Sequence, residues 1–224
     1  MADFQKLAYE AIDDVIARGK LPFLVGGTGL YVASVCDGYV MSDRMPDLVY
    51  RAELEKLTTE KLYEMLLSIM PQTDVDPRNR NRVMRILEKI HDGDDVIPTK
   101  EARYETLRLG VTWDRAVVRQ RIDERLERRI EMGMIEEVKG LLDAGVSEEY
   151  MIKLGLEYKF ITQYLRGDYT LEEMKGLLAT AIKQFAKRQM IWFRRDKSIH
   201  WLDMSNDPLQ QACGMIDAFL SETK

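Results

Sequence analysis

Residues 21–31 read LPFLVGGTGLY, an apolar run that leads through a glycine-rich turn into a second apolar stretch. A short continuous apolar run that ends in a turn is typical of a buried β-strand. We predict a strand over Leu21–Val25 and a helix after Gly29. Glycines let backbone N–H groups approach a ligand closely, and a helix N-terminus favours anions. The junction is a candidate anion site with the Thr28 hydroxyl at its mouth, although a plain tight turn explains the pattern equally well.

The composition is that of a globular protein, with 46% hydrophobic and 32% charged residues in a chain of 224. This length suits one large domain, or a core with a smaller insert. Two cysteines, Cys36 and Cys213, are too few for a disulfide framework and indicate a reducing compartment. The apolar stretches fall far short of the roughly 18 residues of a membrane helix, and the acidic N-terminus is unlike a signal peptide. We therefore expect a cytoplasmic protein without a membrane segment.

Basic charge is concentrated in two segments, although the whole chain has a formal net charge of −5. Residues 76–130 hold 14 basic and 11 acidic side chains, and residues 181–203 hold 6 and 2. Such segments bind polyanions even on an acidic protein. Charge runs more often mark only a solvated helix face, and both interpretations stay open at this point.

Hydrophobic periodicity predicts a mostly helical chain with few strands, an α/β layout. Besides the strand above, we predict strands within residues 106–113 and 198–202, and one continuous helix over residues 114–143. Thr170 and Glu173 have the spacing of a capping box that opens a long helix. Further helices are predicted over residues 3–18, 48–57, 59–70, 79–91, 158–166, 171–195 and 208–221, and irregular segments over 37–47 and 92–104.

Arginines line one face of the helix predicted over residues 114–143, at Arg121, Arg125 and Arg128. Helical neighbours lie three and four positions apart, and none of the neighbours of Arg125 is acidic. Like charges at this spacing cost roughly a few tenths of a kcal/mol each unless an anion binds them. A diphosphate or an RNA phosphate would fit, because guanidinium forks match phosphate oxygens. An acidic side chain from elsewhere in the fold would serve equally well.

Basic and aromatic residues are interleaved in residues 187–194, which read KRQMIWFR. This composition suits RNA, because phosphates interact with the charges and bases stack on the rings. The alternative is an amphipathic helix in which Trp192 and Phe185 belong to the core.

Five segments, taken in order, resemble motifs of the tRNA dimethylallyltransferase (tRNA isopentenyltransferase) family. They are residues 21–31, 82–88 (RVMRILE), 114–125 (DRAVVRQRIDER), 133–138 (GMIEEV) and 186–194 (AKRQMIWFR). The resemblance implies a P-loop-kinase-like α/β core, incomplete and with few strands here, which carries a helical tRNA-binding insert. By this resemblance, the core comprises residues 1–40 and 100–224, and residues 41–99 form the insert that contacts the tRNA anticodon stem-loop.

The resemblance also implies an activity, the transfer of a dimethylallyl group from dimethylallyl diphosphate to the exocyclic amine of the adenosine 3′ of the tRNA anticodon. The target base would be flipped out to reach the donor. Thr28 and Arg125 would be catalytic, and Arg125 with Arg121 would hold the leaving diphosphate. The implied tRNA contacts are Arg51, Asn81, Arg82, Arg85, Lys159, Lys187, Arg188, Gln189, Trp192 and Arg194.

Two departures from the family pattern bear on these expectations. Family members carry a phosphate-binding loop and a general-base Asp before the first matching segment, and no G-x-x-x-x-G-K-[ST] motif occurs in these 224 residues. The family also implies Mg²⁺, whose ligands we expect outside this chain, so we expect the chain to be inactive alone. Glu157 stands where the family usually has glycine, and this weakens the assignment of Lys159.

Two alternatives to an enzyme stay open. One is a non-catalytic tRNA- or RNA-binding remnant of the same family, which keeps the basic surfaces without the chemistry. The other is a helical scaffold whose arginine clusters are only solvated faces. We expect a monomer with an exposed sheet edge through which copies could associate, since the core has few strands to cover it.

Overall fold

The computed structural model describes residues 1–40, 47–94 and 99–222. Within these ranges the chain forms eleven α-helices and two short β-strands, which confirms the mostly helical α/β class. The chain divides into two compact units, residues 1–106 and residues 107–224. Most of the loop predicted over residues 37–47 lies outside the described residues. None of the described helices has the length and apolar character needed to span a bilayer.

The first unit is helical. Its helices are α1 (Ala2–Ala17), α2 (Gly29–Cys36), α3 (Leu48–Glu55), α4 (Thr59–Ile69) and α5 (Arg80–Asp92). The predicted starts of α3, α4 and α5 are explained by side-chain caps, because each helix follows a residue whose oxygen accepts a first-turn N–H. These capping residues are Asp47, Thr58 and Asn79.

In the second unit, the described residues form six helices and a small two-stranded sheet. Its elements are β1 (Leu109–Thr112), α6 (Arg115–Glu131), α7 (Met134–Asp143), α8 (Glu148–Leu154), α9 (Leu156–Arg166), α10 (Leu171–Phe193), β2 (His200–Asp203) and α11 (Leu209–Glu222). The two predicted strands pair in parallel, with Leu109 opposite His200. Thr170 and Glu173 form the predicted capping box at the start of α10.

The strand predicted over Leu21–Val25 is not formed. The segment has no regular secondary structure, and the side chains of Phe23 and Val25 are 71% and 89% exposed. A strand is stable only beside another strand that satisfies its N–H and C=O groups, and no described strand pairs with this segment. The prediction of a buried strand was wrong because the pairing partner of a strand is not encoded in its own residues.

The single helix predicted over residues 114–143 is interrupted. α6 ends at Glu131 and α7 begins at Met134, after Gly133 adopts a φ of +96°. A left-handed backbone favours glycine and ends the run of helical hydrogen bonds. The helix α8 was not predicted, and it begins where the Ser147 hydroxyl accepts the N–H of Tyr150.

Each unit has a hydrophobic core of its own. The core of the first unit joins α3, α4 and α5 through Leu54, Leu62, Leu66, Val75, Val83, Met84, Ile86 and Leu87. The core of the second unit joins α6 to α10 through Ile122, Leu126, Met134, Val138, Met151, Ile161, Met174, Leu178 and Ile182. Burial of these side chains fixes the helices, so that the opposite helix faces present charged residues to solvent.

The chain enters and leaves residues 41–99 at one place. The N–H of Val40 donates to the carbonyl oxygen of Thr99 at 2.9 Å, and the N–H of Glu101 donates to the carbonyl oxygen of Gly38 at 2.8 Å. A Cβ atom at Gly38 would lie 1.8 Å from the Glu101 oxygen, so only glycine permits this approach. The predicted boundaries of the helical insert coincide with this neck, and the division into core and insert stays a prediction.

Candidate functional site

Thr28 lies at the N-terminus of α2, at the glycine-rich junction. Its carbonyl oxygen accepts the N–H groups of Tyr31 and Val32 at 3.0 and 3.1 Å, so the residue caps the helix through its backbone. Its hydroxyl makes no capping hydrogen bond, and the residue is exposed. The hydroxyl is therefore accessible at the positive end of a helix, where an anionic group is favoured.

The arginine face predicted on α6 is present and exposed at Arg121, Arg125 and Arg128. In the part of the chain that the structure describes, no acidic side chain forms an ion pair with any of the three. The Arg121 guanidinium lies over the Trp113 ring, with its central carbon 4.8 Å from the ring centroid. This stacking holds one guanidinium in a fixed orientation while its N–H groups stay accessible.

Two acidic residues of α6, Asp123 and Glu127, are engaged with a different helix. Asp123 pairs with Lys183 at 2.6 Å, and Glu127 pairs with Lys175 at 2.7 Å. These two contacts show that α10 runs antiparallel to α6. These two acids are therefore used in helix packing, and the alternative in which an acidic side chain neutralises the arginine face finds no support among the ion pairs of the described residues.

Glu157, the departure from the family pattern, has a structural partner. The Nη1 group of Arg129 on α6 donates to its carboxylate at 2.6 Å. Lys159, on the same helix α9, is half-buried, and its ammonium lies 5.6 Å from the centroid of the Phe160 ring. The negative charge of Glu157 is thus balanced locally, and the structure assigns no ligand to Lys159.

The C-terminal end of α10 carries exposed basic residues. Lys187, Arg188 and Arg194 are exposed, and none of them forms an ion pair with a residue of the described ranges. The Arg188 guanidinium lies 5.8 Å from the centroid of the Phe185 ring. Gln189 is partly buried between these positions.

The aromatic residues of the same helix end are also accessible. The side chains of Trp192 and Phe185 are both 41% exposed. The alternative that places these two rings in the core is therefore wrong. The basic–aromatic end of α10, residues 187–194, offers both charges and ring faces to a ligand, a combination that suits RNA.

Arginines at the start of α5 divide into structural and accessible ones. Arg80 donates to the carbonyl oxygens of Leu57, Glu55 and Leu54 at 2.6, 3.0 and 3.3 Å. It thereby satisfies the free carbonyl groups where α3 ends. Arg78 pairs with Asp76 at 3.1 Å. These two arginines are held by the protein itself.

The remaining predicted contacts of the first unit lie on one surface. Asn81 and Arg82 are exposed on α5, and Arg82 has no ion pair in the described chain. Arg51 on α3 and Arg85 on α5 both contact the carboxylate of Glu88, each at 3.3 Å. We call the group of Arg51, Asn81, Arg82 and Arg85 the α5 surface. Glu88 was not predicted as part of it, although its position three residues after Arg85 was a signal.

The structure assigns no metal site. Across the residues with a described position, no three His, Cys, Asp or Glu side chains are grouped so that they could hold a metal ion. The described residues therefore contain no such group for the Mg²⁺ that the family implies.

A family model described as IPP transferase matches residues 1–196. The chain belongs to the IPP transferase family. Its relatives in this family include the protein named tRNA dimethylallyltransferase 2 of Shewanella sediminis, which is 43% identical over 95% of this chain and 73% of the relative. A protein of the same name from Syntrophotalea carbinolica is 41% identical over 98% of this chain and 75% of its own length.

Solved structures of the IPP transferase family have a similar fold. The full-length tRNA isopentenylpyrophosphate transferase of Bacillus halodurans superposes with a TM-score of 0.67 at 35% identity, over 99% of this chain and 72% of that one. The transferase of Staphylococcus epidermidis gives a TM-score of 0.65 at 28% identity, over 100% and 76%. The family inferred from the five sequence motifs is confirmed, and so is the fold class.

Proposed function

We propose that this IPP transferase family member acts in tRNA modification, by dimethylallyl transfer to the exocyclic amine of the adenosine 3′ of the anticodon. The proposal is supported by the names of its relatives and by the exposed arginine face of α6. That face is the observation on which the proposal chiefly rests, because three exposed arginines with no ion pair among the described residues favour an anionic ligand, and dimethylallyl diphosphate supplies one.

In this proposal Arg125 and Arg121 bind the diphosphate. The amine nitrogen of the adenosine attacks the first carbon of the dimethylallyl group, the carbon–oxygen bond breaks, and the diphosphate departs with the bonding electrons. The alkylated nitrogen then releases one proton to water or to a general base. Negative charge therefore grows on the diphosphate as the bond breaks. Guanidinium groups already fixed in place, as Arg121 is by Trp113, stabilise that charge without further reorganisation.

Thr28 is proposed to lie near the target adenine. Its accessible hydroxyl and the N-terminus of α2 form a polar site that suits a polar base edge or an anionic group. Its role is catalytic in the sense that it contacts the reacting nucleotide and helps to orient the amine.

Two surfaces are proposed to bind the tRNA. The α5 surface belongs to the insert of residues 41–99 and would contact the anticodon stem-loop through its arginines. The basic–aromatic end of α10, with Lys159 as a further contact, would bind phosphates and stack an unpaired base on Trp192. Binding through such contacts weakens steeply as salt rises.

We also propose that residues 1–224 alone do not catalyse the transfer. They contain no G-x-x-x-x-G-K-[ST] motif. A second candidate function is that of a non-catalytic tRNA-binding remnant of the same family, which would use the exposed basic residues of α5 and α10 alone. In either case we propose a cytoplasmic monomer, because the proposed ligand, tRNA, is cytoplasmic.

The test uses the purified chain with tRNA, radiolabelled dimethylallyl diphosphate and Mg²⁺. We expect filter binding of tRNA at low salt and no label in the tRNA. Label in the tRNA would overturn the proposal that the chain is inactive alone. Absence of binding at low salt would reject both RNA-binding proposals and leave the helical scaffold.

A fusion separates the enzyme from the remnant. The segment of the Shewanella sediminis relative that has no counterpart in this chain is joined to Met1, and labelling is measured again. Restored labelling supports a prenyltransferase site in these residues. Unlabelled tRNA that still binds supports the remnant.

A further inference from the structure

We propose that Glu88 is a positioning residue that holds Arg51 and Arg85 in place for RNA phosphates. The inference rests on the proposed function of the α5 surface. The inference goes beyond that function because it assigns a role in RNA binding to a buried acidic residue. An acidic side chain would ordinarily be expected to weaken RNA binding.

The carboxylate of Glu88 lies between guanidinium groups from two helices. Its Oε1 atom is 3.3 Å from Nη1 of Arg51 on α3, and its Oε2 atom accepts a hydrogen bond of 3.3 Å from Nη1 of Arg85 on α5. The Glu88 side chain is only 4% exposed, whereas those of Arg51 and Arg85 are 47% and 53% exposed. Each guanidinium therefore turns one edge to Glu88 and keeps further N–H donors for a ligand in solvent.

Burial makes this arrangement specific. Glu88 follows the core residues Ile86 and Leu87 and is itself buried, and a carboxylate at such a position is unfavourable unless cations compensate its charge. The two arginines supply that compensation, so their side chains are held to the base of the surface. Without Glu88, two long cationic side chains would repel each other and lose their common orientation.

The two arginines are held with different rigidity. Arg85 donates a hydrogen bond to Glu88, but Oε1 accepts none from any described residue, so Arg51 is held there by charge attraction alone. The Nε group of Arg51 also contacts the exposed carboxylate of Glu55 at 3.4 Å. Arg51 can therefore rotate toward a phosphate without leaving the vicinity of Glu88.

The decisive variant is Glu88→Gln, because positioning and simple electrostatics predict opposite signs. The substitution adds one positive charge to the surface, and charge alone would tighten tRNA binding. If Glu88 positions the arginines, the variant should bind tRNA roughly tenfold more weakly. This is the size expected when a misplaced guanidinium no longer donates one charge-assisted hydrogen bond to an RNA phosphate. Filter binding at fixed salt measures the change, and tighter or unchanged binding would overturn the proposal.

Glu55→Gln is the matched control. It makes the same charge change beside the same Arg51, but Glu55 is exposed and does not contact Arg85. We expect unchanged or slightly tighter tRNA binding. A loss equal to that of Glu88→Gln would show that any acid beside Arg51 has the same effect, and would count against a specific role for Glu88.

A double-mutant cycle tests whether Glu88 acts through the arginines. In an Arg51→Gln/Arg85→Gln background, Glu88→Gln should cause no further change in tRNA affinity. A second tenfold loss there would indicate a general structural effect and overturn the proposal. Thermal melts of each variant verify folding. If Glu88→Gln does not fold, Glu88→Asp replaces it in the same cycle, with a smaller loss that again vanishes without the arginines.

One further variant distinguishes this inference from the proposed function. Arg82→Gln removes an arginine of the α5 surface that does not pair with Glu88. If the single variant Arg82→Gln and the double variant Arg51→Gln/Arg85→Gln both bind tRNA like the parent chain, the α5 surface is not an RNA site. If these variants bind weakly and Glu88→Gln binds normally, only the positioning role fails.

Discussion

Arg129 on α6 and Glu157 on α9 form a hydrogen-bonded ion pair, with 2.6 Å between Nη1 and Oε1. The pair balances the negative charge of Glu157, the residue at which the sequence departs from the expected family motif. It also separates the arginines of α6, because Arg129 is paired while Arg125 and Arg128 have no acidic partner among the described residues. One helix thus provides both a candidate anion-binding arginine and its structural control.

Arg125→Gln should weaken binding of inorganic diphosphate to the chain. A lost charge-assisted contact is worth about 1.5–3 kcal/mol, so we expect a loss of roughly 10- to 100-fold, measured by calorimetric titration. Arg129→Gln is the control and should leave diphosphate affinity nearly unchanged. The affinity for tRNA should not change in Arg125→Gln, and an equal loss there would reassign Arg125 to the RNA contacts.

Lys187→Ala/Arg188→Ala should weaken tRNA binding and flatten its dependence on salt. Each phosphate contact contributes about 0.7–0.9 to the slope of log affinity against log salt, so the slope should fall by roughly 1.5. Filter binding across a salt series measures it. The matched control is Lys153→Ala/Arg166→Ala, because both side chains already pair with acidic residues. An unchanged slope in the first variant would show that these charges are structural.

Trp192→Ala should reduce tRNA affinity with little effect on stability. The ring is 41% exposed and lies outside the core cluster of the second unit, so less core packing is lost than at a fully buried position, whereas stacking of a base on an aromatic ring is worth about 1–3 kcal/mol. Tryptophan fluorescence quenching on addition of tRNA, compared between the parent and the variant, reports the contact. If the variant instead unfolds readily and binds tRNA as before, Trp192 is a packing residue.

Arg80→Met should destabilise the first unit and spare RNA binding. Its guanidinium serves three carbonyl groups at the end of α3, and their loss should cost roughly 1–3 kcal/mol. Urea unfolding followed by far-UV circular dichroism measures the cost. Arg82→Met should show the reverse pattern, stable but weaker in tRNA binding. Equal behaviour of the two variants would contradict the division between structural and accessible arginines.

Alkaline pH should destabilise the first unit through Tyr104. Burial and the hydrogen bond that its phenol donates to Asp13 at 2.6 Å raise its pKa from 10.0 to about 12. The folded state then keeps a proton that the unfolded state loses, so this contribution is complete below pH 10 and is lost between pH 10 and 12. Tyr104→Phe should be less stable than the parent at pH 8 and should lose less stability than the parent between pH 10 and 12. Parallel pH profiles of urea unfolding would contradict this.

Local patterns explain why much of the fold was predictable. Helix α10 followed from its apolar spacing and from the capping box of Thr170 and Glu173, which lie three residues apart. The interruption at Gly133 did not follow, because glycine is compatible with a helix and its positive φ depends on how α7 packs. The strand expected at residues 21–25 failed for a related reason, since pairing depends on distant residues.

In the candidate site, too, features within one helix could be predicted from the sequence, whereas contacts between helices could not. Motifs located the exposed arginines of α6 and the basic end of α10, because exposure follows the helical period. The ion pairs that distinguish structural from accessible arginines join residues far apart in sequence, as Arg129 and Glu157 do across 28 positions. Spacing along one helix could not reveal them. The roles of the site residues in catalysis and tRNA binding stay predictions.

The continuity of α10 has a kinetic consequence. Met174, Leu178 and Ile182 anchor the helix in the core, and the same helix extends to Phe193, roughly 16 Å beyond the last anchor at about 1.5 Å per residue. Its basic–aromatic end is therefore already ordered before any ligand arrives. A segment that does not fold upon contact should associate in a single fast phase, at a rate set by electrostatic attraction between the helix end and the incoming polyanion.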